Sequence, residues 1–224
     1  MKRTTVLVAG VMGVVGASAE ATFVTGARAF FTGAISTSNE SPGAAPGTFT
    51  ASVSSVSPAP VASASASLVW GAASYAFNGT ASGAVGSPTS TFANSQGIAM
   101  FTFATAMNVS MSWNLDSVTG TSSTALAGWS LDDASTGNTV FGIQFFGTST
   151  TPSSITGGIS AATSASGVTG QIAAGTYFLA TAIQIAAPTL GNFSVNLTFT
   201  PVPTPGALPL VAAASLIGRR GRRR

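Results

Sequence analysis

Apolar and polar residues alternate with a period of two along much of the chain. In residues 107–115 every odd position is apolar and every even position is polar, and residues 193–199 repeat the pattern. Successive side chains of a strand point to opposite faces, so the alternation predicts half-buried β-strands. Further strands are predicted at residues 98–103, 126–131, 139–146 and 176–185, and weaker ones at 22–31, 48–56 and 67–77.

Turn-forming residues separate the predicted strands. They occur at Asn78-Gly79 and at residues 94–97, 132–138 and 173–175. Stretches rich in small residues, 36–47 and 57–67, are predicted as loops or small-residue edges. Residues 148–170 contain few large apolar residues and are predicted as a long loop or short strands.

Clean one-face alternation predicts antiparallel sheets with one solvated face, because a parallel sheet would need helices between its strands. Two such sheets would form an antiparallel β-sandwich, jelly-roll-like or immunoglobulin-like, spanning residues 20–200 as one body. Its core would include Trp70, Trp113, Trp129, Phe141 and Tyr177. A parallel β-solenoid is the alternative fold, although no repeat of about 20 residues is visible.

Composition removes most catalytic chemistry. The chain of 224 residues contains no Cys and no His, and only 6% of its residues are charged. A Ser-His-Asp triad, a thiolate nucleophile, a disulfide and an imidazole or thiolate metal site are therefore excluded. We expect a protein that is not an enzyme and has no cofactor.

The net charge of +3 is misleading because seven of the eight basic residues lie at the two ends. Between Glu20 and Pro205 the single base Arg28 stands against five acids, which leaves a net charge of −4. A body without a basic stripe cannot hold a phosphate backbone, so no nucleic-acid partner is expected.

The first 19 residues have the three parts of a secretory signal peptide. Lys2 and Arg3 are followed by an apolar run at residues 6–15 and then by Ala17-Ser18-Ala19, which fits the small-x-small cleavage rule. Export is therefore predicted, with signal peptidase cutting after Ala19. An exported chain without Cys indicates a bacterial envelope protein rather than a small disulfide-bonded one.

The last residues, 201–224, mirror this pattern. A rigid stretch, Val202-Pro203-Thr204-Pro205-Gly206, precedes an apolar run at residues 206–218 and a terminal basic cluster. That cluster consists of Arg219, Arg220, Arg222, Arg223 and Arg224. The apolar run reaches only about 20 Å as a helix, short of a hydrocarbon core of about 30 Å. This segment is predicted to insert transiently into the inner membrane, and a plain tail anchor is the alternative.

This tail resembles the PEP-CTERM sorting signal of Gram-negative-type bacteria. Val202, Pro203 and Pro205 match the V-P-x-P frame and Gly206 matches the glycine that often follows, whereas Thr204 stands where the family most often has Glu. The resemblance covers about a tenth of the chain. It implies recognition by exosortase, a secreted or cell-surface location, and a role in an extracellular polysaccharide or biofilm matrix.

The only acidic cluster, Asp132-Asp133 followed by Asn138, is a weak candidate for a Ca²⁺ loop, since hard cations bind several oxygens from a tight turn. A hairpin turn explains the same residues, because Asp, Asn and Gly favour turns. Asp116 together with Asp132 would be the carboxyl pair of a weak glycosidase if the two came within roughly 5 to 9.5 Å.

Aromatic side chains offer a possible sugar platform, with Trp70 and Trp129 as its candidate members. Trp113 lies in the apolar register of its strand and is assigned to the core. The expected function is therefore a non-enzymatic structural or adhesive matrix protein. A secreted carbohydrate-binding module, or a weak glycosidase, is the alternative.

Overall fold

The computed structural model describes residues 26–32, 37–43, 45–54, 62–83, 92–120, 126–147, 149, 151–186 and 189–203. Thirteen strands, and no helix, occur in this part of the chain. The strands are β1 (Gly26–Thr32), β2 (Thr37–Pro42), β3 (Gly47–Ser54), β4 (Ala62–Gly71), β5 (Ser74–Gly83), β6 (Phe92–Phe103), β7 (Met107–Gly120), β8 (Leu126–Asp133), β9 (Thr139–Phe146), β10 (Pro152–Thr156), β11 (Ser164–Ile172), β12 (Gly175–Ala186) and β13 (Thr189–Pro201).

The strands form two sheets that pack face to face. The seven-stranded sheet has the order β10-β9-β8-β12-β6-β1-β2, and the six-stranded sheet has the order β11-β7-β13-β5-β4-β3. All strand pairs in the two sheets are antiparallel. Strands β4 and β5 lie over β1, β6 and β12. The protein is an antiparallel β-sandwich, as the alternation predicts, and the alternative of a parallel solenoid is wrong.

The core lies between the two sheets and is built from the inward-facing half of each alternating strand. On β7, Met107, Val109, Met111 and Trp113 are buried, while the polar residues between them face outward. Removing such apolar surface from water supplies the main driving force for folding, about 25 cal/mol per Å². Every aromatic residue predicted for the core is buried.

Aromatic rings join the sheets at two places. Trp113 of β7 and Trp129 of β8 have ring centroids 5.8 Å apart across the interface. Near the other end of the core, Phe199 of β13 lies 4.8 Å from both Phe101 and Phe103 of β6. Tilted pairs at these separations add to the stabilisation from buried area.

Most predicted strands are confirmed, but one is wrong. Residues 67–77, predicted as a single strand, are divided between β4 and β5 by a tight turn at Ala72-Ala73. Alanine is not a typical turn residue, so the local sequence carries no signal for this hairpin. The predicted strands at 22–31 and 48–56 correspond to β1 and β3, and their residues 22–25 and 55–56 lie outside the described residues.

Two predicted turns are also wrong, whereas two are confirmed. Asn78-Gly79 lies inside β5, and residues 94–97 lie inside β6. A Cβ on Gly79 would come within 2.7 Å of the Phe77 ring and 3.1 Å of Ile183, so this glycine serves close packing. The turns at residues 132–138 and 173–175 connect β8 to β9 and β11 to β12.

The stretches predicted as loops contain more strand than expected. Strand β2 lies within residues 36–47, and β4 begins at Ala62, within residues 57–67. The stretch 148–170 holds β10 and the start of β11, which agrees with the alternative of short strands. These segments form strands although their side chains bury little apolar surface, because their backbones pair with a neighbouring strand.

Candidate functional site

The acidic cluster forms the turn of the β8–β9 hairpin. The backbone N–H of Asp133 donates to the Asn138 carbonyl at 2.9 Å, and Gly137 donates to the Asp133 carbonyl at 2.7 Å with a φ of +72°. Glycine adopts this left-handed conformation at little cost, which explains its position in the turn. The hairpin interpretation of this cluster therefore agrees with the geometry.

The two carboxylates of the cluster bind different local donors. Asp132 accepts hydrogen bonds from Ser130 Oγ at 2.9 Å and Thr139 Oγ1 at 2.6 Å, while Asp133 accepts from the Ser135 N–H and hydroxyl, both at 2.7 Å. The Ser135 hydroxyl and backbone N–H hold the pKa of Asp133 below its usual value, because they stabilise the carboxylate.

These contacts argue against a Ca²⁺ loop. Asp132 and Asp133 are consecutive strand residues, so their side chains leave opposite faces of the sheet. Asn138 lies in the turn, where its N–H contacts Thr136 Oγ1 at 3.2 Å. Within the described residues no three carboxylates form a group that could hold a metal ion. Asp132, Asp133 and Asn138 are therefore better explained as turn residues than as metal ligands.

The glycosidase pair is wrong for these residues. Asp116 lies exposed on β7, where it accepts a hydrogen bond from Asn114 Nδ2 at 2.8 Å, on the outer face of the six-stranded sheet. Asp132 faces outward on the seven-stranded sheet with Ser130. Packed sheets are about 10 Å apart, so carboxyls on opposite outer faces lie beyond the separation that glycoside hydrolysis requires.

The two tryptophans proposed as a sugar platform are core residues. Trp70 is 4% exposed and Trp129 is 0% exposed. Trp70 packs against Phe49 and Phe101, with ring centroids 6.4 Å and 6.2 Å away. A sugar ring stacks on an indole face only if that face reaches solvent, so the platform hypothesis is wrong for both residues.

A small depression lies among outward-facing residues of β8, β9 and β10. Ser130, Gly142, Gln144 and Thr156 line it, and its volume is about 40 Å³. Pockets that enclose small organic ligands measure about 300–1,000 Å³. The depression is large enough for a water molecule and too small for a sugar.

The outer face of the six-stranded sheet has a regular polar surface. One row of paired positions crosses all six strands and consists of Thr50, Ser67, Asn78, Ser194, Asn114 and Ser164. The next row consists of Ser52, Ser65, Thr80, Asn192 and Asp116. Neighbouring strands are about 4.8 Å apart, so each row repeats a hydroxyl or amide at that spacing. We call these two rows the hydroxyl–amide face.

The hydroxyls of the hydroxyl–amide face use only part of their donor and acceptor sites in hydrogen bonds with one another. Ser65 Oγ and Thr80 Oγ1 are 2.7 Å apart, and beside the rows Ser63 Oγ and Ser82 Oγ are 2.6 Å apart. Each hydroxyl has one donor and two acceptor sites, so a single contact between two hydroxyls leaves further sites for a ligand or water. Asp116 is the one charged residue in the two rows.

The outer face of the seven-stranded sheet differs from the hydroxyl–amide face because its central residues are buried. Ile98, Ala180 and Ala182 point away from the sheet interface, yet they are buried. Next to them, Asn94 Nδ2 donates to Gln184 Oε1 at 3.0 Å, and both of these side chains are also buried. Among the described residues, the row members of the hydroxyl–amide face are exposed or half-buried, whereas these positions on the other outer face are buried.

The predicted sorting motif begins where the sandwich ends. Strand β13 ends at Pro201, and the Val202 N–H donates to the Ala106 carbonyl at 3.0 Å before the exposed Pro203. Residues 204–224, which include the rest of the motif and the arginine cluster, lie outside the described residues, as does the predicted signal peptide with Ala17 and Ala19.

The hydroxyl–amide face was missed at the sequence level, although its signal is present. Asn78 stands two positions before Thr80, and Asn192 stands two positions before Ser194. Within a strand this spacing brings the amide and the hydroxyl to the same face. Which strands lie next to one another is not visible in such local patterns. The rows therefore become apparent only from the strand order.

No protein-family model matches this chain, and no curated protein matches its sequence. Within the described residues, no helix has the length and apolar character needed to span a membrane.

Proposed function

We propose that the chain is an exported, non-enzymatic protein of a bacterial cell surface or extracellular matrix, sorted through its C-terminal segment, and that its hydroxyl–amide face contacts a neutral polysaccharide. The observation that carries the choice of partner is the uncharged row from Thr50 to Ser164, which crosses the whole six-stranded sheet.

The two ends of the sequence support export and sorting. The charged, apolar and small-residue parts of residues 1–19 match a secretory signal, and the tail from Val202 to Arg224 resembles a PEP-CTERM signal. A short apolar run that stops at an arginine block is a weak permanent span but a suitable substrate for a membrane-embedded exosortase.

The chemistry of the face supports a neutral partner. Anionic polymers are held by Lys and Arg, and the two rows contain neither. Hydroxyls and amides are both donors and acceptors, so they match the hydroxyl groups of a sugar chain. Each such hydrogen bond contributes only about 1 kcal/mol net, so useful affinity requires a long polymer that contacts many positions at once.

The sorting part of the proposal is tested by mass spectrometry of the extracellular protein. We expect the mature form to lack residues 1–19 and the arginine cluster. Deletion of the exosortase gene in the host should trap a longer precursor in the membrane fraction. An extracellular form that still carries Arg224 would contradict sorting by exosortase.

The binding part is tested by co-sedimentation with an insoluble neutral β-glucan. We expect binding to the neutral polymer and little binding to an acidic polyuronate. The triple variant Asn78→Ala, Ser194→Ala, Asn114→Ala should bind at least fivefold less, because it removes three neighbouring polar groups from one row.

The matched control is Thr102→Ala with Thr176→Ala. These two hydroxyls lie 3.1 Å apart on the outer face of the seven-stranded sheet. Their removal should leave glucan binding unchanged. Equal losses in both variants, or stronger binding to the polyuronate, would refute the assignment of this face.

A further inference from the structure

The two sheets of the described residues have four edge strands, which differ in whether anything discourages pairing with another chain. Exposed edges present unpaired N–H and C=O groups, and natural proteins protect them with charges, prolines, bulges or short strands. Strand β2 ends at Pro42, and β10 is five residues long with Pro152 at its start. Strand β11 has a register shift between Ala165 and Val168, with Gly167 at a φ of +67°.

Strand β3 has none of these protections. It contains eight residues without a charge, proline or bulge, and it pairs in continuous register with β4 from Gly47 opposite Trp70 to Ser54 opposite Ser63. Within the described part of the chain, β4 is its only strand partner. Its outward residues Thr48, Thr50, Ser52 and Ser54 are exposed.

We propose that the free edge of β3 pairs antiparallel with β3 of a second copy of this chain, so that two six-stranded sheets become one continuous sheet. This inference is independent of the proposed export and polysaccharide binding. A strand can pair with itself about a two-fold axis because its own sequence then supplies both sides of the contact.

The orientation of the backbone selects the residues that would make the new hydrogen bonds. The Ser52 carbonyl accepts a hydrogen bond from Asn39 Nδ2 at 3.0 Å, from the edge strand β2 of the opposite sheet. This carbonyl therefore points toward the free edge, and the N–H and C=O of Thr50 point the same way, since alternate residues share a direction. A carbonyl has two lone pairs, so Ser52 can accept a second hydrogen bond.

One register satisfies both faces of the strand. With Ala51 opposite Ala51 of the second copy, Thr50 lies opposite Ser52 and Phe49 lies opposite Val53. The hydroxyl pairs stay on the outer face, and aromatic and β-branched residues meet on the inner face, which is a favourable cross-strand combination. No charged residue of β3 opposes this pairing.

The test uses the absence of native cysteine. In this register the two Ala51 positions form a non-hydrogen-bonded pair, with Cα atoms about 4.5 Å apart, within the range of a disulfide. Under mild oxidation the full-length Ala51→Cys variant should give a disulfide-linked dimer on a non-reducing gel. The matched control is Ala66→Cys, which lies opposite Ala51 on β4, is also buried, and has strands on both sides. It should stay monomeric.

A second measurement avoids any effect of oxidation on folding. The variant Thr50→Lys with Ser52→Lys brings like charges together across the two-fold axis, so its self-association in sedimentation velocity should weaken about tenfold. Mixing it with Thr50→Glu plus Ser52→Glu should restore a mixed dimer.

Equal cross-linking of Ala51→Cys and Ala66→Cys, or association unaffected by the charges, would overturn the proposal. Ala51 faces the core and lies outside the hydroxyl–amide face, so the cross-linking result is separate from glucan binding and from the proposed function.

Discussion

The hydroxyl of Tyr75 on β5 lies 2.5 Å from Thr181 Oγ1 on β12, so a hydrogen bond joins the two sheets inside the core. Both hydroxyl oxygens also lie 3.1 Å from the Gly97 carbonyl oxygen on β6. Buried polar groups need partners, and these three groups are hydrogen-bond partners of one another.

The first prediction concerns the energy of this contact. Tyr75→Phe and Thr181→Val each remove the hydroxyl–hydroxyl bond, so each should lower the free energy of unfolding by about 1 kcal/mol. The double variant should lose less free energy of unfolding than the two single variants lose together, because both single changes remove the same hydrogen bond. Urea unfolding of the four proteins measures this coupling, and strictly additive costs would show that the hydroxyls do not interact.

The second prediction concerns alkaline pH. Burial raises the pKa of Tyr75 far above its ordinary value of 10, and the hydrogen bond to Thr181 only partly offsets this. The folded protein keeps the Tyr75 proton where the unfolded chain releases it, so stability is intact below pH 10 and falls as the pH rises further. Burial, followed by the charge of Asp133, also raises the pKa of Tyr177.

Urea unfolding between pH 8 and pH 11, with tyrosinate absorbance as the second signal, tests this dependence. Tyr75→Phe should make the alkaline loss of stability shallower, because Tyr177 is then the only tyrosine that remains. The same slope in both proteins would exclude Tyr75 as its source.

The third prediction concerns Gly97. A Cβ at this position would lie 2.5 Å from Phe77 Cδ2 and 2.8 Å from the Tyr75 hydroxyl oxygen. Gly97→Ala should therefore destabilise the protein by about 1–3 kcal/mol, through overpacking. At Gly175, the nearest atom to an added Cβ is in the Tyr177 ring at 3.4 Å. Gly175→Ala should be neutral or slightly stabilising by thermal unfolding, and equal losses at both sites would contradict the packing argument.

The fourth prediction separates binding on the outer face from binding by tryptophan. All three tryptophans, Trp70, Trp113 and Trp129, are buried. Their fluorescence should resist quenching by acrylamide, and saturating neutral β-glucan should leave the emission unchanged. A glucan-dependent shift in emission would restore a direct role for an indole.

Local sequence was a good guide wherever one face of a strand had to be buried. The alternation around Trp113 and Val195 correctly predicted strands, buried faces and the antiparallel arrangement of the sandwich. The turn at Asp133 was also predictable, because Asp, Asn and Gly have strong preferences there.

Local sequence gave a wrong prediction where polar or small residues inside a strand make contacts with the opposite sheet. The polar stretch before Gly97 resembles a turn, but Ser95 Oγ donates to the Thr80 carbonyl at 2.5 Å across the interface, and Gly97 makes room for Tyr75. From the sequence, Trp129 could lie in the core or on a sugar-binding surface. Its ring contact with Trp113 in the structure shows that it lies in the core.

The sequence by itself determined the strand period, the composition of each strand face and the character of the two ends, because these depend on residues that are near one another in the chain. The tertiary structure alone decided which strands are neighbours. It thereby decided that the hydroxyls and amides form rows, that Asp116 and Asp132 lie on opposite outer faces, and that β3 is left at an edge. Strand order depends on how two twisted sheets pack their apolar faces against each other. It therefore cannot be predicted from the local sequence pattern.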